Sequence, residues 1–362
     1  MNKPYSKSPT PISKSLIGTS NFQIYDHRPP TADSQVSRNL ATALKEKNMK
    51  TITLRPAEPK RDFAQLATWF SMLEDDALSE QGLKEYYERR RKTIIQRVAE
   101  NKAGELLGFY WINFSDAESC NIDLFVKPEQ RRQGVGKNLY EDLEKSVKTA
   151  QAKKLHVTIM DTSSESRRFA EQRGFSERWH FIPMRLDLET FDDSPYDDII
   201  SKLERDGFRF TSMEELGNTA EAQHHLYTLN DETNLDVPGR NGERTWSSFD
   251  DFQKRVCQTD WYKPGGQKIV IDTATGDWVA MSAISRFQNH AYNLHTGVDS
   301  RYRGRKLAQA VKVTALRYAR DILKVNIVHT DHNTMNQPII AIDRKFGYVE
   351  MPGTFVMKKI LG

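Results

Sequence analysis

The sequence predicts a mixed α/β protein of two domains, each with a central mixed sheet flanked by helices. Three observations lead to this prediction. A chain of 362 residues is longer than one hydrophobic core usually supports. Strand-like and helix-like segments alternate along it, without the regular period of a purely parallel sheet. The same order of segments then begins again in the second half, which indicates two domains of one type.

Matching residues recur at a nearly constant offset, which indicates an internal duplication. Four pairs lie 172 or 173 positions apart: Gly108 and Ala280, Val126 and Val298, Arg131 and Arg303, and Gly174-Phe175 and Gly347-Tyr348. Agreement in order, spacing and residue type at this many points is improbable by chance. The period is that of a whole domain, not of a short solenoid repeat.

Hydrophobic periodicity gives the elements of the first half in order. We expect a strand at 51–55, helices at 62–70 and 80–99, strands at 105–113 and 119–126, a helix to about 153, a strand at 155–160, a helix at 164–173 and a last strand near 180–188. The predicted domains are 49–190 and 201–362, joined by an acidic, Pro-bearing linker at 191–200. Residues 1–48 are rich in Ser, Pro, Lys and Asn, so we expect a disordered leader.

Composition narrows the function classes. The 53 basic and 49 acidic residues nearly cancel, so the chain lacks the positive field of a nucleic-acid-binding protein. Cys120 and Cys257 are the only cysteines, which suits a reducing compartment, and lone cysteines are usually small buried hydrophobes. No apolar run approaches the roughly 20 residues of a membrane helix. We therefore expect a cytoplasmic protein that binds an anionic small molecule.

A basic, glycine-bearing turn lies where the helix after the 119–126 strand begins. In the stretch RRQGVG, Arg131–Gly136, glycines allow the backbone to approach a ligand, while first-turn N–H groups and the helix dipole favour an anion. A pyrophosphate fits this description. The alternative is a glycine-containing turn with a solvated basic face, because short glycine motifs match easily.

The wider pattern resembles the GNAT acetyltransferase superfamily. The resemblance rests on the pattern V-x-P-x-x-R-x-x-G-x-G before a helix and on a Gly-Phe pair that opens a later strand. The second half is similar through TGVDSRYRGRKLAQAVK and DHNTMNQPIIAIDRKFGY. The stretch LDVPGRNGERTWSSFDDFQKRV also resembles tandem GNAT proteins, the group that includes mycothiol synthase. The resemblance covers about residues 50–362 and implies two tandem GNAT domains.

The resemblance implies acetyl-CoA as co-substrate, with no metal, and a loop that holds its pyrophosphate. The candidate cofactor-binding residues are Val126, Arg131, Arg132, Gln133, Gly134, Val135, Gly136 and Lys137 in the first repeat, and Val298, Arg303, Gly304, Arg305, Lys306, Leu307 and Ala308 in the second. Two departures from the family pattern stand out. Lys306 replaces the glycine found at 134, and its Cβ is expected to constrain the loop. Ala170 and Asp343 replace the tyrosine that in the family protonates the departing thiolate.

The implied chemistry is direct attack of an amine on the thioester. The N–H of Val126 or Val298, at the end of the fourth strand, is the candidate donor to the developing oxyanion. Asp123 and His295, three residues earlier, are the candidate general bases, and His295 has the better ordinary pKa. The alternative is that His295 has a structural role, as histidines in strands more often do. His329 is a secondary candidate in the same region.

Two functions follow from this sequence. The first is an acyltransferase, an N-acetyltransferase acting on a small-molecule amine, with the second repeat catalytic. The second is a non-catalytic acyl-CoA-binding or regulatory protein with degenerate repeats. Neither involves nucleic acid or a membrane, and a monomer or homodimer is expected. The identity of the acceptor does not follow from the sequence.

Overall fold

The structure is a computed structural model that describes residues 21–23 (backbone only), 52–73, 78–238 and 244–361. The chain divides into two compact units. Of the described residues, the N-terminal unit holds those up to His180 together with 353–361, and the C-terminal unit holds 181–352. Each unit has a mixed sheet flanked by helices, so the predicted fold class is confirmed.

The N-terminal unit contains seven adjacent strands. In chain order they are β1 (Asn21–Gln23), β2 (Thr53–Pro56), β3 (Ile94–Glu100), β4 (Leu106–Phe114), β5 (Ser119–Val126), β6 (Lys154–Met160) and β14 (Thr354–Ile360). They lie in the order β2-β3-β4-β5-β1-β6-β14. The helices are α1 (Phe63–Leu73), α2 (Glu80–Arg90), α3 (Val135–Thr149) and α4 (Ser164–Glu171). β7 (Ser176–Asp187) passes from this unit into the next after His180.

The central strand β4 is buried on both faces, which explains its nearly continuous apolar sequence. Phe109 and Trp111 belong to an aromatic core with α1, whereas Tyr110 and Ile112 belong to the core under α3. Successive side chains of a strand point to opposite faces, so one strand fills both layers. β4 therefore fixes the position of β5, whose end carries the candidate loop.

The strands β5 and β6 separate along their length. They pair in parallel only where Ser119–Asn121 faces residues 154–156. Further along, the backbone of β1 lies between them and pairs in parallel with both. β1 lies within residues 1–48, where a disordered leader was expected and no strand was predicted. The rest of that leader, residues 1–20 and 24–48, lies outside the described residues.

The predicted helix at 80–99 is wrong in its second half. The helix ends at Arg90, and Ile94–Glu100 forms β3. Ile94 and Val98 pack into the aromatic core, while Ile95 and Ala99 pack into the other layer. β-Branched residues favour a strand that is covered on both faces, and this packing overrides the helical periodicity of the preceding residues.

The C-terminal unit repeats the same order of elements. Its strands after β7 are β8 (Phe208–Ser212), β9 (Gln267–Asp272), β10 (Trp278–Phe287), β11 (His290–Val298), β12 (Ile327–Asn333) and β13 (Val349–Glu350). The order is β7-β12-β11-β10-β9-β8, with β13 also on β7. The helices are α5 (Asp197–Arg205), α6 (Ala220–Leu235), α7 (Phe249–Phe252), which continues into a π-helix (Gln253–Cys257), α8 (Leu307–Asp321) and α9 (Gln337–Phe346).

The segment predicted as a linker, residues 191–200, is folded into the C-terminal unit, so that prediction is wrong. Ser194–Tyr196 forms a short 3₁₀ helix that continues into α5. Phe191 is buried in the core that contains Phe346. Asp193 accepts hydrogen bonds from Arg317 and from Arg320, at 2.9 Å from Arg320. The acidic composition therefore reflects ion pairing with α8.

We expect Asp193→Asn to destabilise the C-terminal unit by about 1–2 kcal/mol at neutral pH, because two arginines lose a charged acceptor. Burial alone would raise the pKa of Asp193, but Arg320 and Arg317 hold it below its ordinary value. The stabilisation is therefore complete above the unfolded pKa and is lost as the pH falls below about 4. Urea unfolding from pH 7 to pH 3 measures this difference. Asp198→Asn, at an exposed site on α5, is the control and should change stability little; an equal loss there would contradict the assignment.

Candidate functional site

The first candidate loop connects β5 to α3 and contains two residues in the left-handed region. Arg132 has φ 59° and Gly134 has φ 85°, and α3 begins at Val135 without a side-chain cap. Arg131 Nε donates to the carbonyl of Val126 at 3.2 Å, which closes the loop against the strand. The first-turn N–H groups of α3 are thus open to a ligand, as an anion site requires.

The second loop, between β11 and α8, has the same backbone. Gly304 has φ 81° and Lys306 has φ 67°, and α8 begins at Leu307, again without a side-chain cap. Arg303 Nε donates to the carbonyl of Val298, also at 3.2 Å. Lys306 therefore adopts the left-handed conformation that glycine has at 134. The constraint expected from the Cβ of Lys306 is therefore backbone strain, on the order of 1–2 kcal/mol. The second loop keeps the same shape as the first despite this strain.

The side chains of the two loops divide into buried anchors and exposed polar groups. Val135 and Leu307 are buried and fix the start of each helix, so only their backbone N–H can meet a ligand. A Cβ at Gly136 would lie 3.4 Å from Phe169 and from Val126, which is van der Waals contact. The remaining candidates on the helix side are exposed or half-buried: Arg132, Gln133, Lys137, Arg305, Lys306 and Ala308.

In the C-terminal unit, β11 leaves β12 halfway along its length. The two strands pair only at Ala291 with Val328 and at Tyr292 with His329. The hydroxyl of Thr330 then donates to the carbonyl of Asn293 at 3.0 Å, in place of a backbone contact. The rest of β11 has no β12 partner within the described part of the chain. We call this space the β11–β12 opening.

A β-bulge and a polar network accompany the separation. The register of β10 and β11 shifts between Ala283 and Ile284, which leaves Leu294 opposite no residue. The buried Asn293 side chain donates to Ser282 Oγ at 3.0 Å and to the carbonyl of Ala283 at 2.9 Å. It also accepts from Thr296 Oγ1 at 3.2 Å. These bonds fix the bulge, and the matching pairing of β4 with β5 has no register shift.

The backbone N–H of Val298 points into the β11–β12 opening. The next N–H, of Asp299, donates to the carbonyl of Val279 on the β10 side at 2.9 Å. Successive N–H groups of a strand point to opposite edges, so that of Val298 points away from β10. By the same argument, the N–H of Val126 points toward β1 and β6, because Lys127 donates to Leu107.

His295 is half-buried and is positioned by α6. Its Nε2 lies 2.9 Å from Thr233 Oγ1, and the Thr233 hydroxyl lies 2.7 Å from the carbonyl of Leu229. Because the hydroxyl proton goes to Leu229, Thr233 accepts from His295 Nε2–H, and the lone pair of the neutral ring is on Nδ1. Gly297 makes the approach possible, since a Cβ there would lie 2.5 Å from Thr233.

Sequence reasoning missed Thr233 and Gly297. A glycine two residues after a strand histidine is a signal of close approach, but it does not identify the partner. Asp236 belongs to the stretch that resembles tandem GNAT proteins; it lies just after α6 and accepts from Arg303 Nη2 at 2.6 Å. The end of α6 thus contacts both the second loop and β11, while residues 239–243 of that segment lie outside the described residues.

The other base candidates are less well placed. Asp123 is half-buried on β5, opposite Trp111 of β4. The ring of His329 lies 4.8 Å from that of His290, at the beginning of β11. His329 pairs with Tyr292, three residues before His295 on the strand, so its place in the same site stays a prediction.

The two positions expected to carry a proton-donating tyrosine differ from each other. Ala170 is fully buried in the N-terminal core. Asp343 is also fully buried, but it forms an ion pair with Lys312 and a 2.6 Å hydrogen bond with His332 Nε2. Sequence reasoning missed Lys312 and His332, because their partners lie on other elements.

The described residues contain no group of three or more His, Cys, Asp or Glu side chains that could hold a metal ion. None of their helices is long and apolar enough to cross a membrane.

One comparison with known proteins gives a family match within the first half of the chain. Residues 63–175 match the model of the acetyltransferase (GNAT) family. A comparison with curated proteins found no match.

Solved structures with the same fold match over most of the chain. A GCN5-related N-acetyltransferase from Sphaerobacter thermophilus has 15% identity and a TM-score of 0.59, over 85% of this chain and 95% of that one. A tandem GNAT protein from the clavulanic acid biosynthesis pathway has 16% identity and a TM-score of 0.55, over 86% and 99%. A glucosamine N-acetyltransferase region of a fungal β-N-acetylglucosaminidase has 14% identity and a TM-score of 0.60, over 85% of this chain and 38% of that one. At these identities the likeness shows the fold alone.

We expect Lys306→Gly to stabilise the C-terminal unit by up to about 1 kcal/mol, because glycine has no Cβ penalty in the left-handed region. The greater freedom of glycine in the unfolded chain offsets part of this gain. Gly134→Lys is the matched reverse change and should destabilise the N-terminal unit by a similar amount. Chemical unfolding measures both. A loss of stability in Lys306→Gly would contradict the strain.

Proposed function

We propose that the chain is a tandem GNAT N-acetyltransferase that transfers an acetyl group from acetyl-CoA to a primary amine of a small molecule. In this proposal the C-terminal unit is catalytic. The observation that carries it is the arrangement around the β11–β12 opening. A loop with the same backbone as that of the matched GNAT domain lies at the end of β11, and a strand N–H and a histidine lie beside the opening.

The second loop supplies the features that a pyrophosphate needs. Left-handed residues at Gly304 and Lys306 turn successive N–H groups to one side, and the uncapped start of α8 adds its own. Arg305 and Lys306 are exposed and add two positive charges. Arg303 holds the carbonyl of Val298 and is paired with Asp236, so we assign it to shaping the loop.

The catalytic step is direct attack within the β11–β12 opening. Nδ1 of His295 accepts a proton from the acceptor ammonium, directly or through water, and the neutral amine attacks the thioester carbonyl. Negative charge develops on the carbonyl oxygen, where the Val298 N–H can donate to it. Thr233 orients the His295 ring through Nε2, and we therefore assign the proton transfer to Nδ1.

The N-terminal unit is less suited to this chemistry. The backbone of β1 pairs with both β5 and β6, beside the N–H of Val126. Asp123 in place of His295 is a weak base near neutral pH, since an ordinary carboxyl has a pKa near 4. We therefore propose a structural or cofactor-binding role for this unit.

A screen of amine acceptors for release of free CoA thiol tests the proposal. Turnover with any primary amine supports it. Binding of acetyl-CoA without turnover across the screen would instead support a non-catalytic acyl-CoA-binding protein.

With a responsive acceptor, we expect His295→Ala to lower kcat by about 10²-fold or more near neutral pH, because a general base is lost. The loss should shrink at high pH, where more of the acceptor amine is neutral. Asp123→Ala is the matched change in the other unit and should leave the rate within about twofold. Loss of activity in Asp123→Ala, with His295→Ala active, would reverse the assignment of the units.

A further inference from the structure

The core of the C-terminal unit contains a cluster of buried polar side chains. Lys312 of α8 and Asp343 of α9 are both fully buried and form an ion pair. His332, at the end of β12, has a side chain that is 10% exposed, and its Nε2 lies 2.6 Å from Asp343 Oδ2. Lys312 Nζ lies 5.0 Å from the ring centre of Tyr348, which is also buried. We call these four residues the buried charge cluster.

The fold itself does not require these charges. At the matching positions, offset by 172 on α8 and by 173 from β12 onward, the N-terminal unit has Tyr140, Ile159, Ala170 and Phe175. Tyr140 and Phe175 pack edge to face, with ring centres 6.4 Å apart, in the core that also contains Ala170. Replacing a buried ion pair with well-packed apolar residues is often neutral or stabilising. The same architecture is therefore built without the cluster in one half of the chain.

The cluster is also incompletely hydrogen-bonded. Lys312 Nζ and Asp343 Oδ1 have no hydrogen bond beyond their mutual ion pair, and Tyr348 Oη has none, among the described residues. Burial lowers the pKa of Lys312, although Asp343 opposes this. Burial would raise the pKa of Asp343, but Lys312 and His332 hold it below its ordinary value. Such a cluster costs stability, which points to a function beyond packing.

His332 lies beside the β11–β12 opening. The last contact between the two strands is that of Thr330 with Asn293. His332 is two residues further along β12, and side chains at this spacing share a face of the strand. It therefore lies past the point at which β11 departs. Its Nε2 is bonded to Asp343, so Nδ1 is the nitrogen available to a ligand.

We propose that His332 protonates the departing CoA thiolate, with Asp343 and Lys312 as positioning residues. This inference rests on the proposed function. The carbon–nitrogen bond forms, the carbon–sulfur bond breaks, and the sulfur takes the electron pair. The imidazolium of His332 gives its Nδ1 proton to that sulfur and is reprotonated from solvent. The Asp343 carboxylate accepts from Nε2–H and so fixes the orientation of the ring, and Lys312 holds the pKa of that carboxyl below its ordinary value. Asp343 thus presents a proton donor at a position where the resemblance leads one to expect a tyrosine.

His332→Ile tests the proposal in the full-length chain, because isoleucine is the residue at the matching N-terminal position. We expect kcat with acetyl-CoA to fall by about 10²-fold, with binding of acetyl-CoA unchanged by calorimetry. The selenoester analogue of acetyl-CoA provides the discriminating substrate, because a selenolate leaves at neutral pH without protonation. With it, the variant should react at nearly the wild-type rate. His225→Ile, at an exposed histidine of α6, is the control and should leave both rates unchanged.

Asp343→Asn gives a second, independent readout. The amide is a weaker acceptor for Nε2–H than the carboxylate, so kcat with acetyl-CoA should fall while acetyl-CoA binding and the selenoester rate are kept. An equal loss with both esters in His332→Ile, or an unchanged kcat in Asp343→Asn, would overturn the role of His332. Absence of turnover in the wild type with every acceptor would refute the proposed function instead.

Discussion

The separation of β11 from β12 is the constraint on which the candidate site depends. Two paired parallel strands satisfy each other's backbone groups and leave no space between them. After Asn293 this pairing ends, and the Val298 N–H points into the β11–β12 opening. At the point of departure, Thr330 Oγ1 donates to the carbonyl of Asn293 in place of a backbone contact, while the Asn293 side chain fixes the bulge by its bonds to Ser282 and Ala283 of β10. A stable fold can in this way keep a few strand groups available for a ligand.

The same separation explains why the catalytic candidates come from different elements. With β12 absent from the edge of β11, α6 contributes Thr233 beside His295 on one side. On the other side, α9 and α8 contribute Asp343 and Lys312 beside His332. In the mechanism that we propose, these two histidines, each bonded at Nε2, move protons in opposite directions. His295 takes a proton from the acceptor ammonium, and His332 gives one to the departing sulfur.

Much of the fold was predictable from the sequence, because local patterns reflect local physics. The repeat at offset 172 gave the order of elements, and the glycines marked the loop before each helix. The helix prediction failed at Ile94–Glu100, where burial on both faces decided the structure. The linker prediction failed because the partners of Asp193 lie more than 120 residues away in the chain. Contacts between residues far apart in the chain cannot be read from the local spacing of residue types. The contact between His295 and Thr233 is another example.

The duplication makes the cost of function visible within one chain. The two loops share a backbone, yet one has Gly134 and the other has the strained Lys306 at the matching position. The two cores share an architecture, yet Tyr140 on one side corresponds to the buried Lys312 on the other. In both comparisons the residue that costs stability lies in the C-terminal unit. Local choices that oppose stability are expected at functional sites, since the rest of the fold compensates for them. The unit that departs further from ideal packing is therefore the one in which chemistry is to be sought.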